Sequence, residues 1–153
     1  MCKMPQINST DSIKLMKLIE KRLDTRGQVL TINKKVIVKI LLENSEHLTV
    51  DDIVGISEKN KYKKLDRTTV YRILSKFESY DIVDSIVLND NKKRYELTYL
   101  KNPHYHIYCN ECNNMSEFEN LDIHDKFLSQ LKNENFQPMN FNIIINGVCK
   151  KCQ

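Results

Sequence analysis

No stretch of this chain approaches the roughly 20 consecutive apolar residues that a membrane helix requires. The opening Met1-Cys-Lys-Met-Pro-Gln6 also lacks the apolar core of a secretory signal. Both absences point to a cytoplasmic chain, and in a reducing compartment paired cysteines favour metal over disulfide. A third absence bears on catalysis. Zinc deaminases place His-x-Glu ahead of a Cys-x-x-Cys pair, whereas the run here is His104-Tyr-His106 with no Glu. An enzyme of that kind is not expected.

What the chain does have is two Cys-x-x-Cys pairs, Cys109/Cys112 and Cys149/Cys152, with 36 residues between Cys112 and Cys149. At that spacing each pair bites one metal and the segment between them closes into a small domain, so the four thiols read as one structural zinc site. A closed four-thiolate shell leaves no position for substrate, which makes the zinc a staple of the fold. A redox dithiol or a disulfide pair is the rival reading, and the adjacent His-x-His does not call for either. Cys2 stands alone and is assigned no role.

The charge distribution divides the 153 residues in two. Through Arg94 there are 19 Lys+Arg against 13 Asp+Glu, and from Tyr95 onward 5 against 7. Residues 1–94 and 95–153 are therefore read as separate domains with different partners. A basic half suits a polyanion, most economically DNA, or is a solvated lysine-rich surface. The acidic half, holding Cys, His and Glu, suits cations.

Periodicity supplies the elements. Ser12 to Arg26 is an amphipathic helix stopped by Gly27. Asn33 is placed to cap a second helix bearing Val36, Ile37, Ile40 and Leu41, and Thr49 with Asp52 forms a capping box for a third. Asp66 caps a fourth, in which Val70, Ile73, Leu74 and Phe77 form the apolar stripe while Thr68, Tyr71, Arg72 and Ser75 form a polar one. Ile82 to Leu88 and Lys92 to Leu97 make a basic hairpin about Asn89-Asp90-Asn91. Helices followed by such a hairpin make a winged helix-turn-helix whose fourth helix enters the major groove. There Arg72 can pair with guanine or phosphate, and Tyr71 can pack on a thymine methyl. A half-buried Tyr71 ring is the bland alternative.

Beyond the hairpin, His106 to Cys109, Met115 to Glu119 and Phe141 to Val148 read as strands and Ile123 to Leu131 as a helix. The run from Phe141 to Ile145 reads as a buried strand that returns Cys149 to Cys112. The fold class is thus α+β, a winged helix followed by a small α/β dimerisation domain. So small a sheet has too little core of its own, and a twofold homodimer would supply the missing burial.

Arg67-Thr68-Thr69-Val-Tyr71-Arg72-Ile-Leu74, Tyr95-Glu-Leu-Thr98, His104-x-His106-x-x-Cys109-x-x-Cys112, Glu117-Phe118 and Gly147-x-Cys149-x-x-Cys152 together resemble the ferric uptake regulator family of bacterial metalloregulators. The resemblance covers nearly the whole chain. It implies a homodimeric repressor of metal-uptake genes that binds a palindromic, AT-rich operator in double-stranded DNA more tightly when a regulatory metal is bound. Carried over residue by residue, the regulatory ligands are His47, Glu96, His104, His106 and Glu117, and the DNA-contacting residues are Arg67, Thr68, Thr69, Tyr71, Arg72 and Ser75. A mixed imidazole and carboxylate set suits Fe(II), with Zn(II) or Mn(II) as alternatives. His104 and His106, two apart on a strand, project to one side in chelating geometry.

Zinc-responsive and peroxide-sensing regulators are the alternatives within the family, and Glu117 in place of Asp leans toward iron. A zinc-ribbon interaction module without DNA binding is the alternative outside it. Three positions depart from the pattern. Tyr105 stands between the two His, Phe141 stands where many members have a further His, and Val29 aligns with the family's minor-groove basic residue. A second His/carboxylate site is therefore not expected, although His124 stands where such sites often have Glu. Arg26, or Lys34 and Lys35, are the candidates to take the place of that basic residue.

Overall fold

A computed structural model describes residues 9–44, 46–60, 63–98, 104–138 and 143–153, with residues 9–11 described by backbone alone. Cys2 and Phe141 lie outside the described residues. The described residues through Thr98 fall in one compact unit and those from His104 onward in another. That division lies beyond the 94/95 boundary suggested by charge, because residues 95–97 complete a strand of the first unit.

The first unit carries α1 (Ser9–Asp24), α2 (Ile32–Glu43), β1 (Leu48–Thr49), α3 (Val50–Lys59), α4 (Arg67–Ser79), β2 (Val83–Val87) and β3 (Lys93–Leu97). Gly27, at φ 65°, ends the first helix. The Gln28 amide donates to the Leu23 carbonyl and the Gly27 amide to Asp24, which satisfies the last carbonyls in a Schellman turn. The second helix starts earlier than Asn33 allows, since Lys35 N–H already donates to Thr31 C=O. Thr31 is therefore the N-cap, and its side chain makes no capping bond. Thr49 and Asp52 form the expected reciprocal box, and Asp66 accepts from the Thr69 amide at 2.8 Å.

Val70, Leu74 and Phe77 of α4 are fully buried against Ile19, Ile37 and Ile53 of the other helices and Tyr95 of the sheet. At about 1.5 to 3 kcal/mol per buried side chain, this packing fixes the helix axis. The sheet runs in the order β1-β3-β2, all antiparallel. Asn91 turns the hairpin at φ 57°, a left-handed value that Asn tolerates.

The second unit holds β4 (His104–Cys109), β5 (Met115–Glu119), α5 (Leu121–Asn133) and β6 (Ile144–Gly147). β4 is central, antiparallel to β5 and parallel to β6. The strand read as buried is an edge, and Ile145 is 49% exposed. An apolar run is buried only where something covers it, and no described residue of α5 is buried either. The fold class is α+β as expected, with a four-helix winged helix and a small α/β unit.

Phe77→Ala should lower the stability of the first unit by about 3 to 5 kcal/mol, read from the urea midpoint of its far-UV circular dichroism. A loss below 1 kcal/mol would show that α4 is not anchored by this ring.

Candidate metal centre and nucleic-acid interface

The four thiols sit on two turns at the ends of β4 and β6, the parallel pair in which Cys109 lies opposite Gly147. Asn113, at φ 57°, closes the first turn through its amide to Cys109 C=O. Cys112 Sγ lies 3.8 Å from Cys149 Sγ, and Cys149 Sγ lies 3.6 Å from Cys152 Sγ. All four sulfurs fall within 4.8 Å of one another, and none is in a disulfide.

Four sulfurs about 2.3 Å from one zinc stand ~3.8 Å apart at the corners of a tetrahedron, so the set fits that ion. Cys149 N–H donates to Cys109 Sγ at 3.3 Å, support from beyond the ligand shell. Amides of Cys112 and then Cys149 hold the Cys109 thiol down at about 6, while hydrogen bonding with Cys149 and then Cys112 that favours the protonated form pushes Cys152 up to about 12.

The candidate nitrogen and oxygen donors form one group in each unit. In the first unit, His47 Nε2 meets Glu96 Oε1 at 3.0 Å, with side chains 1% and 11% exposed. His47 precedes β1, and pairing of Leu48 with Tyr95 brings it beside β3. Adjacent donors ~2.1 Å from one ion stand about 3.0 to 3.4 Å apart, so the pair can serve as co-ligands without rearrangement. In the second unit, His104 and His106 share one face of β4 with ring centroids 4.9 Å apart. Register puts Glu117 of β5 directly across from His106, on the same face. On the opposite face Tyr105 lies near Phe118 and His124, with ring centroids 6.3 and 6.5 Å away.

On α4 the polar stripe faces outward. Tyr71 is 57% exposed, which removes the half-buried alternative. A hollow of about 550 Å³ is lined by Arg67, Thr68, Tyr71, Arg72, Ser75 and Lys76. Thr69 is not among them; it lines the neighbouring hollow with Arg72 and Lys76. Lys76, four residues past Arg72 and so on the same helix face, completes the stripe that sequence periodicity left one residue short.

Arg67 pairs with Asp51 at 3.1 Å. In the wing, Lys93 pairs with Glu78 at 2.7 Å and Arg94 with Asp90 at 2.6 Å. Burial pushes the Glu78 carboxyl up, but hydrogen bonds from Lys93 and Ser85 outweigh it and leave it below its ordinary value. Two of the wing's three cations are therefore spent on shape. Among the cations near Val29, Arg26 stacks over the Tyr80 ring at 4.8 Å, Lys34 is buried, and Lys35 is exposed.

The profile of the ferric uptake regulator family matches residues 25–146. The chain belongs to that family. The ferric uptake regulation protein of Bacillus subtilis (strain 168) is 29% identical over 137 residues, spanning 88% of this chain and 91% of that one. The ferric uptake regulator of Francisella tularensis, solved with iron, is 28% identical with a TM-score of 0.61, covering 76% of this chain and 88% of its own. The Helicobacter pylori ferric uptake regulator shares the fold at a TM-score of 0.77 and 21% identity, with 97% of both chains covered. As a ferric uptake regulator family member, this chain is a metal-responsive, DNA-binding regulator. No helix of the described residues is long and apolar enough to cross a membrane.

The sulfur geometry predicts about one zinc per chain in protein purified under reducing conditions. Cys149→Ser should lose that zinc and the thermal transition of the second unit, since structural zinc contributes on the order of 10 kcal/mol or more in model fingers. Elemental analysis with calorimetry reads both, and a fully metallated variant would refute the assignment.

Proposed function

We propose that the protein is a cytoplasmic, homodimeric repressor of metal-uptake genes that binds a palindromic, AT-rich operator when Fe(II) is bound by His47, Glu96, His104, His106 and Glu117. Cys109, Cys112, Cys149 and Cys152 hold a separate structural zinc. The observation that carries this reading is the segregation of donors. Thiols gather with thiols alone, while imidazoles keep company with carboxylates, as the buried His47–Glu96 pair of the first unit and the His104, His106 and Glu117 face of the second. Hard and borderline donors without thiolate suit Fe(II), and Mn(II) and Zn(II) are its competitors. The iron-bound Francisella relative supports the choice of metal.

Arg67, Thr68, Thr69, Tyr71, Arg72 and Ser75 are the proposed DNA-contacting residues, with the outward Tyr71 reading bases and Arg72 a base or a phosphate. The dimer is supported by exposed apolar side chains in the second unit, namely Ile107, Phe118, Phe127 and Ile145, which a second copy would cover.

A metal that binds the DNA-competent state better must tighten DNA binding by the factor by which DNA tightens metal binding, about 5 to 150-fold for ordinary coupling of 1 to 3 kcal/mol. The zinc-loaded dimer should show that gain on an AT-rich operator fragment under anaerobic Fe(II), and His106→Ala should lose it while keeping zinc and dimer mass. Imidazoles must shed their protons to ligate, so the gain should shrink on acidification. Equal metal responses in the two proteins would remove the His-x-His pair from the sensor. In the same assay Tyr71→Ala should reduce the preference for operator over random duplex by ~1 kcal/mol or more. An unchanged preference would take this ring out of base readout.

A further inference from the structure

The start of α2 and the middle of α4 enclose a second hollow, of about 470 Å³, whose wall carries Lys34, Lys63, Arg72 and Lys76. No Asp or Glu lines it. Nearby cations are neutralised, Arg67 by Asp51 and Lys93 by Glu78. Among the described residues, Lys63, Arg72 and Lys76 have no ion pair.

Lys34 is 7% exposed and donates one of its three N–H groups to Val29 C=O at 2.7 Å. Burial and then the nearby Lys76 ammonium lower its pKa. A lysine buried beside like charge is costly unless an anion joins them. The same wall includes the first turn of α2, a twelve-residue helix with no capping side chain and no acidic residue in that turn. Its positive end and free amides favour a negative oxygen at that position.

Arg72 and Lys76 also line the hollow beneath the Tyr71 stripe. One strand of a duplex can therefore lie across both hollows, with bases toward the stripe and its sugar–phosphate edge toward the lysines. We propose that the hollow of Lys34, Lys63, Arg72 and Lys76 seats a backbone phosphodiester of duplex DNA and so sets the register at which the Thr68, Tyr71 and Ser75 stripe meets the base edges. This deepens the proposed DNA-binding function and rests on it.

The test uses the full-length, metal-loaded protein with an AT-rich and a random duplex over a salt series. Lys63→Gln with Lys76→Gln, both exposed positions, should weaken binding to the two duplexes by the same factor. The slope of log Kobs against log salt should become shallower by about 0.9 for each phosphate no longer neutralised. Lys126→Gln with Lys132→Gln on α5 removes the same charge elsewhere and should leave the slope at its wild-type value. Lys34→Gln, with its melting curve as a check on folding, should act in the same sense as the first pair. A slope that stays at the wild-type value in the Lys63/Lys76 variant, or falls equally in the α5 control, would overturn the phosphate seat while leaving DNA binding standing. Failure of the wild-type protein to bind either duplex would overturn both.

Discussion

The second unit depends on the meeting of four sulfurs at the ends of two parallel strands. Parallel neighbours need a long crossover, and here 36 residues separate the two Cys pairs. Little holds that loop closed from within: Tyr105, Tyr108 and Cys109 are the buried apolar side chains of β4, and α5 contributes none. A sheet of three short strands and one uncovered helix cannot offset its chain entropy by burial alone. The sulfur cluster stands where a larger domain would have a core, and the rigid face bearing His104, His106 and Glu117 is downstream of it.

The first unit solves a different problem. Its α4 must be held firmly on one side and left available on the other. Val70, Leu74 and Phe77 accomplish the first through near-complete burial, and the residues one step out of phase accomplish the second. Asp66 fixes where the helix begins, so the two stripes cannot rotate relative to the core without loss of the cap. β3 joins the core to the candidate metal pair, since its Tyr95 enters the core while its neighbour Glu96 meets His47.

Much of this was legible in the residues. The phases of α4, the capping box of Thr49 and Asp52, the Gly27 stop and the two Cys pairs are local patterns, and they appear where spacing put them. What was not legible depended on neighbours distant in sequence. Thr31 and Asn33 are both good capping residues, and only the Lys35-to-Thr31 bond shows which begins the helix. The two-residue β1 carries no alternation and exists through pairing with Arg94 and Tyr95. An apolar run about Ile145 signals a strand but not whether anything covers it. The Lys93 pairing with Glu78 likewise joins residues on different elements and left no trace in periodicity.

That last pairing shapes the approach to a polyanion. With Lys93 and Arg94 held by Glu78 and Asp90, the hairpin is gripped to the back of the reading helix and adds little to the far field. Lys34, Lys63, Arg72 and Lys76 are left together where α2 meets α4. Salt screens exposed charge beyond about 8 Å at physiological ionic strength, so such a cluster acts on a polyanion only at close approach. On the proposed reading, a duplex at that distance meets the lysine-lined side as a matter of charge and the Tyr71 stripe as a matter of sequence, two separate tasks set on one helix.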